Sequence, residues 1–228
     1  MNELRIIPIT GVGEVVTGDD LALLIVDAAG EGAFVEHDIV VITQKVVSKA
    51  EGRVIPGGDK AAAVEAESAR VLRRVGDVTI SETRHGFVCA NAGVDESNME
   101  GDHIALLPVD PDASARRIRS RIKHLTGVDV GVIVSDTFGR AWRIGQTDVA
   151  IGVAGFEPIL DYRGSLDRQG RVMNATEIAL ADELAGAAEL VMGKTDNIPA
   201  AIVRGATVPW GRGAATELIR PFKEDFFR

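Results

Sequence analysis

The sequence has one cysteine, Cys89, in 228 residues, which excludes an internal disulfide framework and any cysteine-rich zinc or iron–sulfur site within one chain. Cys89 lies in the apolar run Phe87-Val88-Cys89-Ala90, where a buried structural thiol is expected rather than a nucleophile, and a reducing cytoplasm is the expected location. No run of Lys and Arg exceeds two residues and the formal charge is −9, so a nucleic-acid partner is excluded for want of a basic face. A small anion is not excluded, because a few local cations and a metal can hold one inside an acidic protein. Residues 1–10 contain no basic segment, long apolar core or small-residue cleavage site, so neither export nor a membrane anchor is expected. Walker A, G-x-G-x-x-G, H-x-x-x-H and G-x-S-x-G patterns are also missing. A nucleotide, if one is used, must be held without a P-loop or Rossmann cradle.

What is present is a globular composition, 46% hydrophobic and 26% charged, sufficient for one large domain or two intimately packed lobes with a buried core. Short β-like runs alternate with helical stretches, which makes the fold class α+β (mixed α/β). Residues 4–9 and 38–43 read as strands, and between them Asp19 and Asp20 cap a helix that ends near Gly30. An Ala- and Glu-rich stretch predicts a helix over 59–75 stopped by Gly76, and residues 78–81 predict a strand. The clearest helix covers 111–125, with Asp110 as cap, Pro111 in the first turn and Gly127 just beyond its end. Its Ala115, Ile118, Ile122 and Leu125 share one face, while Arg116, Arg117, Arg119 and Lys123 point outward. Residues 128–134 form the near-continuous apolar run of a strand covered on both faces, terminating at Ser135-Asp136-Thr137. A helix over 176–191 and a strand over 200–203 complete the pattern.

Four polar segments follow apolar runs and are candidate sites. In the first, residues 43–52, Lys45 and Lys49 with neighbouring Gln44 and hydroxyl groups suit nucleotide phosphates or a carboxylate, or are surface lysines. In the second, Asp95 and Asn98 place oxygen donors three residues apart beside Gly93, suited to a cation or to a simple Asx turn. His85 nearby reads as structural or as an acid–base group. The third, residues 135–148, combines Asp136 and Thr137 with Arg140 and Arg143. A carboxylate and hydroxyl at a strand end suit a Mg²⁺ or Mn²⁺ ion bridging phosphate oxygens, and the two arginines suit anionic substrate groups. In the fourth, Thr176 and Glu177 either cap a helix or add a third carboxylate, and Asp182 with Glu183 reads as solvated helix face.

The runs 44–52, 92–98, 106–112 and 135–143, with Thr176-Glu177 and Ala181-Asp182-Glu183, resemble in order those of the coenzyme F420-0:gamma-glutamyl ligase family, over nearly the whole chain. The resemblance implies a GTP-dependent ligase that adds L-glutamate to F420-0, a deazaflavin with a phospholactyl tail, and extends a gamma-linked glutamate tail through an acyl phosphate. It implies Mg²⁺ or Mn²⁺ assisted by K⁺, metal ligands at Asp95, Asp136, Thr137 and Glu177, and nucleotide contacts at Gln44, Lys49, Asn98 and the turn Val12, Gly13, Glu14, Val15. Asp95, Asp136, Arg140 and Arg143 become the expected catalytic set. An intertwined homodimer of two-lobed α+β protomers is also implied. The chain stops at Arg228, so the family's optional C-terminal reductase-like domain is expected to be absent. A ligase for another phosphorylated carboxylic acid, or a nucleotide or deazaflavin binding module without turnover, are the competing readings.

Overall fold

The computed structural model describes residues 3–97 and 103–226. From the N-terminus, strand β1 (Arg5–Ile9) leads through a loop to helix α1 (Leu21–Ala29), strand β2 (Ile39–Thr43) and the short helix α2 (Gln44–Ala50). The next stretch contains β3 (Val54–Pro56), α3 (Lys60–Glu67), β4 (Ser68–Val75), β5 (Val78–Thr83), β6 (Val88–Ala90), β7 (Asp95–Ser97) and β8 (His103–Ala105). Helix α4 (Pro111–Thr126) then feeds the long hairpin β9 (Gly131–Arg140) and β10 (Arg143–Ala154). The short strands β11 (Leu160–Asp161) and β12 (Glu177–Ile178), helix α5 (Leu180–Met192) and β13 (Ala200–Arg204) follow.

Five strands make the central mixed sheet in the order β1-β13-β2-β9-β10, with β2 and β9 parallel and the other neighbours antiparallel. Its inner strands are apolar without interruption because both faces are covered. Alternation sends Val40, Ile42, Val132, Val134 and Ile202 to the face that also buries Ile25 of α1 and Ile118 and Ile122 of α4. Ile39, Val41, Ile133, Ala201 and Val203 go to the opposite face, against Leu184, Ala185 and Ala188 of α5. Two smaller antiparallel sheets, β3-β8-β7 and β4-β5-β6, occupy residues 54–105 beside a separate small cluster of Val64, Ala92, Val94, Ile104 and Leu106. Helices on a mixed sheet, with antiparallel sheets set apart, make the fold α+β, as the sequence predicts. No helix among the described residues is long and apolar enough to cross a membrane.

The caps of α1 and α4 follow the sequence: Asp20 accepts from the Leu23 N–H, Asp110 accepts from the Ala113 N–H at 2.8 Å, and Gly127 closes α4 with φ 76°. Asp19 instead accepts from the Val16 N–H and orders the preceding turn. The helix predicted over 59–75 is corrected. It stops at Glu67, where Ser68 Oγ donates to the Val64 carbonyl at 2.6 Å, and the chain turns into β4. Pairing of β4 with β5 overrides the helical composition, and Gly76 with Asp77 forms the turn of a hairpin. Two further expectations change. Strand β9 runs on through Ser135, Asp136 and Thr137, because β10 supplies partners for all three. Helix α5 begins at Leu180 rather than 176, because Glu177 is paired with Asp161 in the β11–β12 ladder.

Candidate active site

Register explains where the cleft lies. Ile9, Ala200, Ile42 and Val134 stand in one row across four strands. Just past that row the chain leaves β1 into residues 11–16, leaves β2 into α2 and enters β13 from residues 193–199. Beyond Ser135, which still pairs with Thr43, only β9 continues as strand, paired with β10 alone. Crevices at the carboxyl ends of parallel strands are common ligand sites, since a rigid sheet holds the backbones that present polar groups. Here the crevice has a volume of about 690 Å³ and is lined by Val12, Gly13, Glu14 and Val15, by Gln44, Lys45 and Lys49, by residues 90–91 and 93–95, by Asp136 and Thr137, and by residues 192–194 and 197–199.

Asp95 reaches the cleft through a left-handed turn. Asn91, Ala92 and Gly93 all have positive φ, 51°, 54° and 70°, a conformation costing about 1–2 kcal/mol for each residue with a Cβ. Asn91 offsets part of this by accepting from the Thr79 N–H at 2.9 Å, and Ala92 by burial. Gly93 is required, because a Cβ there would stand 2.7 Å from Leu107. Lys45 Nζ meets Asp95 Oδ2 at 2.7 Å, and Lys49 Nζ meets Glu14 Oε1 at 2.6 Å. Gln44 is buried and accepts from Ser48 Oγ at 2.8 Å.

Asp136 is half-buried on the cleft wall. Burial pushes its carboxyl up to about 7, with the charges of Asp148 and Asp95 adding to the effect and the Thr137 N–H and Lys194 opposing it. Cys89 lies close enough to feel the Asp136 charge, and burial first, then that charge, push its thiol up to about 12. It is a neutral core residue at physiological pH. Residues one apart on β9 face opposite sides, so Thr137 points away from Asp136. Its hydroxyl donates to Asp148 Oδ1 at 2.7 Å and accepts from Lys194 Nζ at 2.7 Å, while Ser135 Oγ donates to Asp148 Oδ2 at 3.0 Å.

The cleft gathers Val12, Gly13, Glu14, Val15, Gln44, Lys49, Asp95, Asp136 and Thr137. Arg140 and Arg143 are exposed at the tip of the β9–β10 hairpin and do not line it. Nor does Glu177, which pairs with Arg163 at 2.9 Å. Asn98 lies outside the described residues. Asp182 departs from the solvated helix face expected of it: it accepts from the Ala150 N–H at 2.9 Å, and burial raises its pKa. His85 is structural, since its Nε2 donates to the Pro108 carbonyl at 2.9 Å and its ring stacks on Phe87. Sequence reasoning missed Lys194 and Asn197, and gave no role to Asp148 at the end of the third candidate segment. The signal for residues 193–197 was the polar Gly-Lys-Thr-Asp-Asn cluster between a helix and a strand.

Among the described residues no three His, Cys, Asp or Glu side chains gather as a ready-made metal cage. Asp95 and Asp136 nonetheless fit a Mg²⁺-type ion, which needs only one or two carboxylates when phosphate oxygens and waters complete its shell. The elevated Asp136 pKa reflects burial first, with the nearby charges of Asp148 and Asp95 adding to it, and a cation there would lower it.

The fold and this cleft define an α+β protein with its polar chemistry drawn together at the seam between a mixed sheet and smaller antiparallel ones. The F420-0:gamma-glutamyl ligase family model matches residues 11–70 and 56–205, and the chain belongs to that family. It is 43% identical to the coenzyme F420:L-glutamate ligase of Methanothermobacter thermautotrophicus, with 99% of each chain covered. The protein of the same name from Methanocaldococcus jannaschii is 45% identical with 85% of each chain covered. That from Methanopyrus kandleri is 43% identical, with 99% of this chain and 98% of its own covered.

Proposed function

We propose that this protein ligates L-glutamate to F420-0 at the expense of GTP, in coenzyme F420 biosynthesis, with Asp95 and Asp136 holding Mg²⁺ or Mn²⁺ against the nucleotide phosphates. The observation that carries the proposal is the convergence of Asp95 and Asp136 in one cleft with lysines on its rim, in a chain of the gamma-glutamyl ligase family. K⁺ assists by analogy with the family alone.

A carboxylate does not condense with an amine in water until one of its oxygens becomes a leaving group. The γ-phosphoryl of GTP passes to the F420-0 carboxylate, releasing GDP and giving an acyl phosphate. The free amine of glutamate then attacks the acyl carbon, the amide bond forms and inorganic phosphate departs. The divalent ion supplies charge neutralisation on the phosphates and fixes their alignment with the carboxylate. The turn at Val12, Gly13, Glu14 and Val15 offers backbone groups to the nucleotide, and Lys49 exchanges the Glu14 carboxylate for a phosphate. Gln44 and Asn98 complete the nucleotide contacts. Lys45 neutralises Asp95 while the ion is away.

Incubating the protein with F420-0, glutamate, GTP and Mn²⁺ and weighing the deazaflavin product tests the reading. A product heavier by one or more glutamyl units is expected. Binding without mass change would assign a module without turnover, and turnover only on another phosphorylated acid would assign a different ligase.

A further inference from the structure

Asp95 and Asp136 reach the cleft from different sheets, so their separation depends on how the β3-β8-β7 sheet is held against the rest of the chain. Val54, Ala105 and Asp95 stand in one row across that sheet. The chain enters it from α2 through residues 51–53 and leaves it towards α4 through residues 106–110. Arg53 bonds across both passages. Its N–H donates to the Ser48 carbonyl of α2 at 2.8 Å, and its carbonyl accepts from the Leu106 N–H at 2.9 Å. Its guanidinium donates from Nε to the Leu107 carbonyl at 2.9 Å and from Nη2 to Glu67 Oε2 at 3.0 Å. The Arg53 and Glu67 side chains are 23% and 13% exposed, so the pair is sheltered from the solvent competition that weakens surface ion pairs. Leu107 in turn is buried beneath the left-handed turn, where a Cβ on Gly93 would meet its side chain at 2.7 Å. Arg53 therefore connects to Asp95 along two branches, one through Leu107 and the turn at 91–93, the other along the row Val54, Ala105, Asp95.

We propose that Arg53 is a positioning residue: it does not line the cleft, and by locking the β3-β8-β7 sheet to α2 it sets the separation at which Asp95 and Asp136 hold one divalent ion together. Helix α2 also carries Lys45 and Lys49 on the cleft wall, so the same lock fixes those lysines against Asp95. A planar guanidinium donates in two directions from a rigid fork, which an ammonium on a flexible stem does not reproduce. This inference rests on the reading of Asp95 and Asp136 as cation ligands, but not on which substrates are joined.

The test is Mn²⁺ affinity, measured with the metal alone by electron paramagnetic resonance from micromolar to millimolar ion, in a double-mutant cycle of Arg53→Lys with Asp95→Asn. Each protein's fold is verified by its melt. Arg53→Lys keeps the charge and loses the fork, and with Asp95 present it is expected to weaken binding about 10–100-fold, the usual effect of a residue that orients a metal ligand. In the Asp95→Asn background no carboxylate remains for it to position, and Arg53→Lys should change affinity by no more than about twofold. Glu67→Gln, which keeps an acceptor and removes its charge, is the milder variant, expected to show the same dependence on Asp95 with a smaller loss. An equal loss in both backgrounds would make Arg53 merely structural and overturn the proposal, as would an Arg53→Lys protein that binds Mn²⁺ as the native chain does. A native chain without Mn²⁺ affinity would instead remove the reading of Asp95 and Asp136, and the role of Arg53 with it.

Discussion

A carboxyl group with a pKa near 7 behaves differently from an ordinary aspartate, and Asp136 carries the consequences in both binding and stability. Below about pH 7 an incoming cation must displace a proton from it, so Mn²⁺ affinity is expected to fall about tenfold for each pH unit between 7 and 5. Titrations of the native chain should show that slope, and Asp136→Asn should bind weakly with a flat profile. The same group opposes folding. Its folded pKa is raised above the ordinary aspartate value of 3.8, so the penalty is absent below pH 4, grows as pH rises and is complete above about 7. Metal-free Asp136→Asn should therefore be more stable than the native chain at pH 8. With a discount for partial solvent access the gain is about 1–2 kcal/mol, or roughly 2–8 °C in Tm, and the difference should vanish near pH 4. Asp95 and Asp136 were legible in the sequence because acids directly after apolar runs are unusual. Lys194 and Asp148 were not, since their meeting depends on α5 returning its C-terminal end to a hairpin some 46 residues earlier in the chain.

The elements owe their placement to a few buried polar contacts around β10. Asp112, in the first turn of α4, accepts from the Val153 and Ala215 N–H groups at 2.8 Å each, and Asp182, in the first turn of α5, accepts from Ala150. Together they pin a register shift between Ala150 and Gly152, which lets Ile151 face the α4 side and Ala150 and Val153 the α5 side. Gly152 is required there, because a Cβ would lie 2.3 Å from the Pro111 carbonyl oxygen. Asp112→Ala would leave two buried N–H donors unpaired and is expected to cost about 3 kcal/mol in urea unfolding. Asp110→Ala loses only an exposed cap and should cost about 1 kcal/mol. Helix α4 was legible because its cap, proline, apolar stripe and terminal glycine all agree. Residues 68–75 were not, since Ala- and Arg-rich composition favours a helix and only the hairpin partner β5 makes them a strand. The β10 bulge had no signal beyond a lone glycine in an apolar run.

At the scale of the whole molecule, the β9–β10 hairpin extends beyond the sheet and exposes Trp142 by 81% and Ile144 fully, with Arg140 and Arg143 beside them. Such side chains at a projecting tip suit burial against another protein surface. We propose a homodimer in which this tip packs on the second copy, and that pairing is how the two arginines would approach substrate anions. Light scattering should give twice the chain mass, with Trp142→Glu shifting the population to monomer. A native chain that is monomeric at micromolar concentration would remove the pairing and, with it, the role for those arginines.

Asp136 is the residue on which ligation is expected to depend most directly. GDP release and glutamyl product should be followed side by side for the native chain and for Asp136→Asn with its fold verified by its melt. The native chain should release one GDP for each glutamate joined, and Asp136→Asn should lose both signals by about 100-fold or more. An Asp136→Asn protein that consumes GTP and joins glutamate at the native rate would contradict the assignment of the cleft.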